Sequence, residues 1–192
     1  MPKVKQFNKE KVLEAASQIF QKKGYNGTSI DEILRMTGLS RSSLYDSFKD
    51  KHSLYLQSLE FYKQRESSSF TSVGNKDLNG YQKIEFLFKE AVNHLSGSPA
   101  NGCLMVNAAS EMSKLCVKTS EIINANKESI QDIFTEWVTE AQDSHILTLN
   151  KPAKHYGAFL FNSLCGLKVL SQTGASKSEL GNVAKVTLEA LS

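Results

Sequence analysis

Apolar side chains recur every three to four positions along almost the whole chain, and this spacing constrains the fold more than any other feature. Over residues 119–142, for example, Ile130, Phe134 and Trp137 fall on one side of a helix. No stretch alternates between apolar and polar residues with the period of two that a half-buried strand requires. Because 40% of the 192 residues are hydrophobic, the helices can bury a core. The sequence therefore predicts an all-α fold of about nine helices.

Residues that favour helix ends divide this pattern into elements. Gly24 is suited to end the first helix, because glycine adopts the left-handed conformation of a C-cap. Residues 29–32 and 176–179 both read Ser-x-x-Glu, the capping box that satisfies free N–H groups at a helix start. Further helix starts are predicted at Ser40, Asp50, near Cys103, and at Pro152.

Two stretches interrupt the helical pattern. Residues 67–69 and 72–80 are rich in Ser, Gly and Asn, which is typical of a linker or loop. Residues 96–102 contain two glycines and a proline and predict a second break. We expect the chain to divide into an amino-terminal unit, residues 1–52, and a larger unit, residues 53–192.

Charge is distributed unevenly between these units. Residues 1–52 carry 10 basic and 6 acidic side chains, whereas residues 53–192 carry 13 and 14, although the formal net charge of the whole is only +3. A basic amino-terminal unit favours nucleic acid as a partner. The start lacks the apolar segment of a secretory signal, and the most apolar stretch, residues 156–170, is too short and polar to span a bilayer. We expect a cytoplasmic protein without a membrane segment.

Cysteine and histidine spacing argues against several chemistries. The three cysteines are odd in number, far apart and without C-x-x-C spacing, which is unlike a disulfide framework or a zinc site. The four histidines belong to no metal-ligand or catalytic motif. We therefore predict no cofactor, no metal and no enzymatic activity, with a thiol enzyme using Cys103 as a remote alternative.

A helix-turn-helix carries the functional signal, over about residues 29–48. Thr37-Gly38-Leu39 joins two short helices, and Gly38 permits the tight turn between them. The second helix would present Arg41, Ser42 and Ser43 to phosphates and base edges in the major groove. Lys49 and Lys51 follow where a flanking phosphate would run. Alternatively, Arg41, Lys49 and Lys51 form an ordinary solvated face.

Residues 8–60 resemble the tetracycline-repressor (TetR/AcrR) family of bacterial transcription regulators. The residues that carry the resemblance are Ala15-Ala16, Phe20, Gly24-Tyr25, Thr28-Ser29-Ile30, Ile33, Gly38-Leu39-Ser40, Leu44-Tyr45, Phe48, Lys51 and Leu54. The resemblance implies a homodimer with an amino-terminal DNA-binding domain and a carboxy-terminal domain for ligand binding and dimerisation. By dimer symmetry the DNA partner would be a double-stranded operator with an inverted repeat.

The resemblance also implies roles for single residues. It implies that Thr28 and Tyr45 contact backbone phosphate. It also implies that residues 40–43 (Ser40 to Ser43) form the groove-facing start of the recognition helix and that Lys51 is a phosphate anchor. The chain departs from many relatives at Asp46-Ser47, where they have an aromatic or histidine pair. Asp46 would repel phosphate unless it faces away or accepts from a cytosine amino group.

Cys103 offers a hypothesis about regulation. It follows a break and precedes an apolar helix, so the amide groups and dipole of a helix start would stabilise its thiolate. Gly102-Cys103-Leu104 also resembles a subset of the family in which the cysteine responds to electrophiles or oxidants. The alternative is a buried apolar side chain, as most free cysteines are. Cys116 and Cys165 are weaker sensor candidates.

Aromatic and sulfur-containing side chains of the second unit suit an apolar inducer cavity or a packed core. The candidates for the ligand or sensor site are Cys103, Met105, Phe88, Trp137 and Phe159. The last two helices suit a dimer interface, a four-helix bundle formed with their symmetry mates, because residues 156–170 are apolar on nearly every side. Candidates for this interface are Phe161, Leu164, Leu180, Val183 and Leu188. The alternative is a central helix in a monomer.

These expectations combine into a ligand-responsive transcriptional repressor. A small apolar or electrophilic inducer, bound between helices five to eight, would favour a dimer geometry in which the two DNA-reading helices no longer match the operator. A transcriptional activator or a DNA-binding adaptor is the alternative of similar chemistry.

Overall fold

The computed structural model describes residues 7–96 and 103–191 and folds these ranges into nine helices without a strand. The prediction of an all-α fold with about nine helices is confirmed. The helices are α1 (Lys9–Lys23), α2 (Ile30–Thr37), α3 (Arg41–Phe48), α4 (Lys51–Gly74), α5 (Gly80–Ser96), α6 (Leu104–Glu111), α7 (Val117–Asp143), α8 (Ala153–Gln172) and α9 (Lys177–Glu189).

The predicted helix ends fall where the residue chemistry requires them. Gly24 follows α1 with φ of 72°, and its N–H donates to the Phe20 carbonyl. Both capping boxes form completely, at Ser29 before α2 and at Ser176 before α9. Ser40 and Asp50 cap α3 and α4 by accepting from the N–H three residues ahead. Local hydrogen bonding thus sets most of the boundaries.

The linker predicted at residues 67–69 is wrong, because α4 continues to Gly74. Its serine and threonine hydroxyls donate back to carbonyls four residues earlier, as Ser68 does to Gln64 and Ser69 to Arg65. Such bonding lets polar residues remain inside a helix. Only residues 75–79 separate α4 from α5. Of the second predicted break, residues 97–102 lie outside the described ranges.

Two apolar clusters form the core. The first unites α1, α2 and α3 with the start of α4 and with α6, so Leu44, Phe48, Tyr55 and Leu104 are all fully buried together. The second contains α5, α7, α8, α9 and the end of α4, around Phe88, Phe134 and Leu160. Helix α4 belongs to both clusters. A motion of α4 would therefore displace residues of both clusters.

Helices α7 and α8 make the most extensive helix pair, and Gly157 permits their close approach. A side chain at Gly157 would come within 2.3 Å of the Thr135 hydroxyl and 2.7 Å of the Gln131 carbonyl oxygen. The second core cluster is therefore built around a rigid α7–α8 pair. In the described ranges, no helix combines the length and the apolar character that crossing a bilayer requires.

Candidate nucleic-acid interface and adjoining cavity

Helices α2 and α3 form a helix-turn-helix with a short turn. Gly38 ends α2 in the left-handed conformation, with φ of 70° and ψ of 10°, and donates its N–H to the Leu34 carbonyl at 2.9 Å. Glycine suits this position because any side chain would be strained there. Leu44 and Phe48 of α3 are buried against the same core as Ile33 of α2. The apolar side of α3 is thereby fixed inward.

The opposite side of α3 is exposed to solvent. With Leu44 and Phe48 inward, the 100° turn per residue puts Ser42 and Asp46 at the outermost positions. Tyr45 and Lys49 flank them on one side, and both are exposed. Asp46 is exposed as well, so it does not turn into the protein. A duplex docked on α3 would meet Ser42 and Asp46 first.

Serine hydroxyls cluster at the start of α3. The Ser40 hydroxyl accepts from the N–H of Ser43 at 3.1 Å and lies 3.0 and 2.8 Å from the hydroxyls of Ser42 and Ser43. Arg41 extends from the same turn and pairs with Asp31 of α2 at 2.6 Å. Both partners of this pair are exposed, so its net stabilisation is small. A phosphate could therefore replace Asp31 as the partner of Arg41.

Two residues assigned to phosphate by resemblance are engaged within the protein. Thr28 is 1% exposed, and its hydroxyl donates to the Gly24 carbonyl at 2.7 Å. This is a correction: the Thr28 side chain stabilises the turn before α2 instead of lying at the surface. The Lys51 ammonium lies 4.2 Å from the centre of the Tyr25 ring. Burial lowers the pKa of Lys51, and the Glu111 carboxylate opposes this effect.

Lys49 has an unusual backbone conformation, with φ of 67° and ψ of −54°. Around it the N–H of Asp50 donates to the Phe48 carbonyl at 2.8 Å, which closes a γ-turn between α3 and α4. A side chain is strained at this positive φ. The turn aims the exposed Lys49 side chain away from the protein, at the edge of the α3 surface.

Sequence reasoning missed the contacts that attach α6 to α1 and to the turn after it. The Glu111 carboxylate accepts from the N–H of Asn26 at 3.1 Å and packs against Gly24 so closely that a Cβ there would clash. The Asn107 amide donates to the Gln21 carbonyl at 2.8 Å. These residues are far apart in the chain and form no local motif, so no sequence signal indicates them.

A cavity of about 490 Å³ lies between α1, α4, α5 and α8. Apolar residues such as Phe61, Phe70 and Leu164 line part of it, and Tyr62, Glu66 and Lys168 line another part. Lys168 forms an ion pair with Glu66, and both side chains are largely buried. The cavity therefore has an apolar wall and a polar end.

Cys103 directly precedes α6 and lies next to this polar end. Its sulfur is 3.7 Å from the Lys168 nitrogen and 3.8 Å from the Tyr62 hydroxyl. Burial on its own would lower the pKa of Lys168, but Cys103, Glu66 and Tyr62 together raise it well above the usual value. Lys168 thus stays a cation at physiological pH. Cys103 itself is only 2% exposed.

The five side chains predicted for the ligand or sensor site are not brought together. Met105 belongs to the first core cluster, Phe88 and Trp137 belong to the second, and Phe159 is exposed on α8. None of the five lines the cavity directly: Cys103 contacts Tyr62 and Lys168 at its polar end, and Trp137 stacks on Phe70 of its apolar wall. The correction has a simple physical reason: aromatic residues at helical spacing fill the core before they line a cavity.

The residues predicted for the dimer interface also separate. Leu164 and Leu180 are buried in the monomer core, and Phe161 and Leu188 are partly buried against it. Val183 alone is exposed. Four large apolar side chains are nevertheless exposed on α8 and α9, and we call the surface that they occupy the α8–α9 face. Its members are Phe159, Val169, Val183 and Val186, and Gly166 is exposed on the same side of α8.

Within residues 7–96 and 103–191, no three His, Cys, Asp or Glu side chains lie together in a way that would hold a metal ion. The arrangement instead offers an exposed, polar recognition helix, contacts that attach this helix-turn-helix unit to α6, and a cavity beside α6.

Comparison with known proteins agrees with this geometry. Residues 12–57 match the model of the tetR family of bacterial regulatory proteins. An uncharacterized HTH-type transcriptional regulator of Bacillus subtilis, YezE, is 24% identical over the full length of both chains. The HTH-type transcriptional repressor ComR of Escherichia coli is 22% identical over 97% of this chain and 89% of its own.

A solved structure shares the whole fold. It is a cysteine-substituted form of the TetR family transcriptional regulator CifR, complexed with 26-base-pair operator DNA. The two chains superpose with a TM-score of 0.86 over the full length of both, at 21% identity. The relatives and the fold are those of transcription regulators, which are not enzymes.

Proposed function

Because the chain belongs to the TetR family of DNA-binding transcriptional regulators, we propose that it acts as a homodimeric repressor that a small apolar or electrophilic inducer releases from an inverted-repeat operator. The observation that carries this proposal is the exposed face of α3, where Ser42 and Asp46 stand outermost. The name of ComR as a repressor supports the sign of regulation. The site of action would be the cytoplasm, where bacterial DNA lies.

The proposed division of labour keeps residues 1–52 as the DNA-binding unit and residues 53–192 as the unit for ligand binding and dimerisation. The first core cluster extends this DNA-binding unit with the start of α4 and with α6. The candidate DNA contacts are Ser40, Arg41, Ser42, Ser43, Tyr45, Lys49 and Lys51. Of these, Lys51 must release part of its contact with Tyr25 to reach phosphate.

Dimerisation would use the α8–α9 face. Four valine and phenylalanine side chains are exposed there, and apolar surface of this kind marks an interaction site. Gly166 has no atom near the position of a Cβ, so another helix can approach α8 closely at this point. A symmetric pair of these faces would make a four-helix bundle and place two α3 helices on one side of the dimer.

An inducer bound in the cavity would release the protein from DNA through the contacts of α6. Gln172 of α8 donates to Asn107 of α6 at 3.5 Å, and Asn107 donates to the Gln21 carbonyl of α1 at 2.8 Å. Glu111 then holds the N–H of Asn26 in the turn after α1. A ligand that displaces α8 or the Lys168–Glu66 pair would shift these hydrogen-bonded residues. It would shift α1 to α3 relative to the partner subunit and favour a dimer that does not fit the operator.

Cys103 is the proposed thiol for an electrophilic inducer. The Lys168 ammonium and the Tyr62 hydroxyl lie 3.7 and 3.8 Å from its sulfur. On this proposal, iodoacetamide should label Cys103 near neutral pH much faster than Cys165, in which burial raises the pKa to about 11. Cys103→Ser should keep DNA affinity and lose the part of the release by electrophiles that depends on this thiol. Equally slow labelling of Cys103 and Cys165 would limit Cys103 to core packing.

DNA binding is tested by fluorescence anisotropy with duplexes from the region flanking the protein's own gene. We expect stoichiometric binding of the dimer that weakens steeply with salt, because phosphate contacts release counterions. Arg41→Ala and Lys51→Ala should weaken it. The matched control is Lys89→Ala, which removes an exposed cation of α5 that pairs only with Glu85. Binding that neither Arg41→Ala nor Lys51→Ala weakens would contradict the proposal, as would binding that Lys89→Ala weakens equally.

The sign of regulation needs a separate measurement. Transcription from the bound promoter in a purified system should fall when the protein is added and recover when an inducer releases it. A rise on addition would identify an activator, and no change would identify a DNA-binding adaptor.

A further inference from the structure

A second thiol packs against the first core cluster, and neither the DNA-binding surface nor the cavity uses it. Cys116 directly precedes α7, and its sulfur is 3.4 Å from Nε2 of His52, the second residue of α4. The His52 ring packs against Tyr25 and Tyr55, with ring centres 5.8 and 6.5 Å away. One thiol–imidazole contact therefore connects the start of α7 to the helix-turn-helix unit.

The surroundings of Cys116 favour its thiolate. Cys116 makes no cap hydrogen bond to α7, so the donors at this helix start remain available to its sulfur. Thr119, in the first turn of α7 after Cys116, has a fully buried hydroxyl with no hydrogen-bond partner among the described residues. The Thr119 hydroxyl and the amides of Thr119 and Lys118 lower the pKa of Cys116, although burial and Glu121 oppose them. An unpartnered buried hydroxyl is costly unless a charged acceptor appears.

Cys116 is partly exposed, as Cys165 is, whereas Cys103 is buried. Burial raises the pKa of Cys165. The neighbours of Cys116, Leu115 and Val117, are each 76% exposed. Two exposed apolar side chains beside a thiol form a surface on which an apolar molecule can rest. Reactivity in cysteines follows thiolate character combined with access.

We propose that Cys116 and His52 form a modification site for small α,β-unsaturated carbonyl compounds. The His52 imidazole accepts the thiol proton, and the sulfur adds to the β-carbon of the electrophile to form a carbon–sulfur bond. The π electrons move to the carbonyl oxygen as an enolate, and the proton held by His52 returns to the α-carbon. The net change adds the thiol across the carbon–carbon double bond, so no oxidant is needed.

The adduct would act on the DNA-binding unit directly. Alkylation removes the thiol proton and adds bulk to a sulfur that lies 3.4 Å from His52, so the contact that joins the start of α7 to α4 is lost and the two helices can separate at this point. His52 follows Lys51 in the chain and contacts Tyr25, the ring on which Lys51 rests. Separation would therefore displace Lys51 and loosen the start of α4. This consequence depends on the proposed DNA-binding function, whereas the chemistry at Cys116 does not.

The test uses the full-length dimer and methyl vinyl ketone near neutral pH, with peptide mass spectrometry to follow each cysteine. We expect Cys116 to be modified at least about ten-fold faster than Cys165, since each unit of thiol pKa changes the thiolate fraction ten-fold. His52→Gln and Thr119→Val should each slow Cys116 several-fold without changing the rate at Cys165. Circular dichroism would verify that both variants keep their helix content.

The labelling rates decide the proposal independently of DNA. A Cys116 rate no greater than that of Cys165, or one unchanged in both His52→Gln and Thr119→Val, would overturn it. For the regulatory consequence, modified wild-type protein should lose operator affinity, Cys116→Ser should resist this loss, and Cys165→Ser should not. If fast labelling leaves DNA affinity intact, the site is reactive but not coupled to α4. If no form binds the DNA, the proposed function fails while the labelling result stands.

Discussion

At the scale of single residues, position in the fold decides what a side chain can do more than its type does. Lysines 49, 51 and 168 illustrate this. Lys49 is exposed at the edge of α3, Lys51 rests on an aromatic ring, and Lys168 is paired with Glu66 beside the cavity. The sequence assigns the first two to phosphate on equal terms. In the structure they differ, because Lys49 is already exposed whereas Lys51 must leave the Tyr25 ring to reach DNA.

Lys49→Gly should stabilise the protein and weaken DNA binding at the same time. Glycine relieves the strained backbone at φ of 67°, which we expect to raise the free energy of unfolding by about 1 kcal/mol. Loss of the cation should lower affinity and reduce the salt dependence by about one phosphate contact. Lys49→Ala is the control, because it removes the charge and keeps the strain. Equal melting temperatures for the two variants would contradict this account.

Asp46→Asn should reduce discrimination rather than affinity alone. Asp46 lies outermost on α3 beside Ser42, in a position to accept from a cytosine amino group. Removing its charge should weaken operator binding by about 1–3 kcal/mol if that contact exists. It should also strengthen binding to random duplex DNA, because a repulsion from phosphate is lost. Parallel anisotropy titrations with both duplexes measure the ratio. A gain on both duplexes would show that Asp46 only repels phosphate.

At the scale of helices, the sequence predicts boundaries well where they depend on local hydrogen bonds. Gly24, Ser29, Ser40, Asp50 and Ser176 all end or cap helices as expected. The errors arise where packing decides. Serines 67–69 stay helical because α4 is long and is packed at both ends, which their composition does not reveal.

The same distinction holds for the candidate site. The helix-turn-helix is local, so the sequence places α2 and α3 correctly. The contacts of α6 with Gln21 and Asn26 and the contact of Cys116 with His52 join distant parts of the chain. Hydrophobic spacing also cannot separate core aromatics from cavity aromatics, and Phe88 and Trp137 therefore proved to be core.

The two capping boxes should differ in their importance to the molecule. Ser29→Ala removes the cap of α2 and should lower the free energy of unfolding by about 1 kcal/mol, as N-cap losses typically do. The matched control is Ser176→Ala at α9, which should cost a similar amount of stability. Only Ser29→Ala should also weaken DNA binding, because α2 supports α3. Equal DNA affinities for both variants would contradict the role of α2 as a brace.

Acid should weaken the α2 box in a defined range. The Lys23 side chain and the Ser29 N–H lower the pKa of Glu32 to about 2. Because this folded-state pKa lies below the usual value of 4.5, the stabilisation is complete above about pH 4.5 and is lost as pH falls toward 2. Urea unfolding of Glu32→Gln and wild type should therefore differ at pH 7 and converge near pH 2. A difference that persists unchanged at low pH would contradict this assignment.

At the scale of the whole molecule, dimer geometry decides whether the two α3 helices can bind one operator. Val186→Asp places a charge on the α8–α9 face at a side chain that is 64% exposed, so the monomer core is untouched. We expect monomers by size-exclusion chromatography with light scattering. Operator affinity should fall about 100-fold or more, because two linked DNA-binding units bind far more tightly than one. The control is Val117→Asp, which places the same charge at an exposed valine of α7. If both variants remain dimers, the α8–α9 face is not the dimer interface.

We propose that the protein recognises DNA through the outer face of α3, which a symmetric dimer presents twice. The most direct test is selection of preferred sequences from a random duplex library with the purified protein, followed by the same selection with Asp46→Asn. We expect wild-type protein to select an inverted repeat whose half-sites are about one helical turn apart, and Asp46→Asn to change the base preference at one symmetric pair of positions. A selected sequence without two-fold symmetry, or one that Asp46→Asn leaves unaltered, would contradict this proposal.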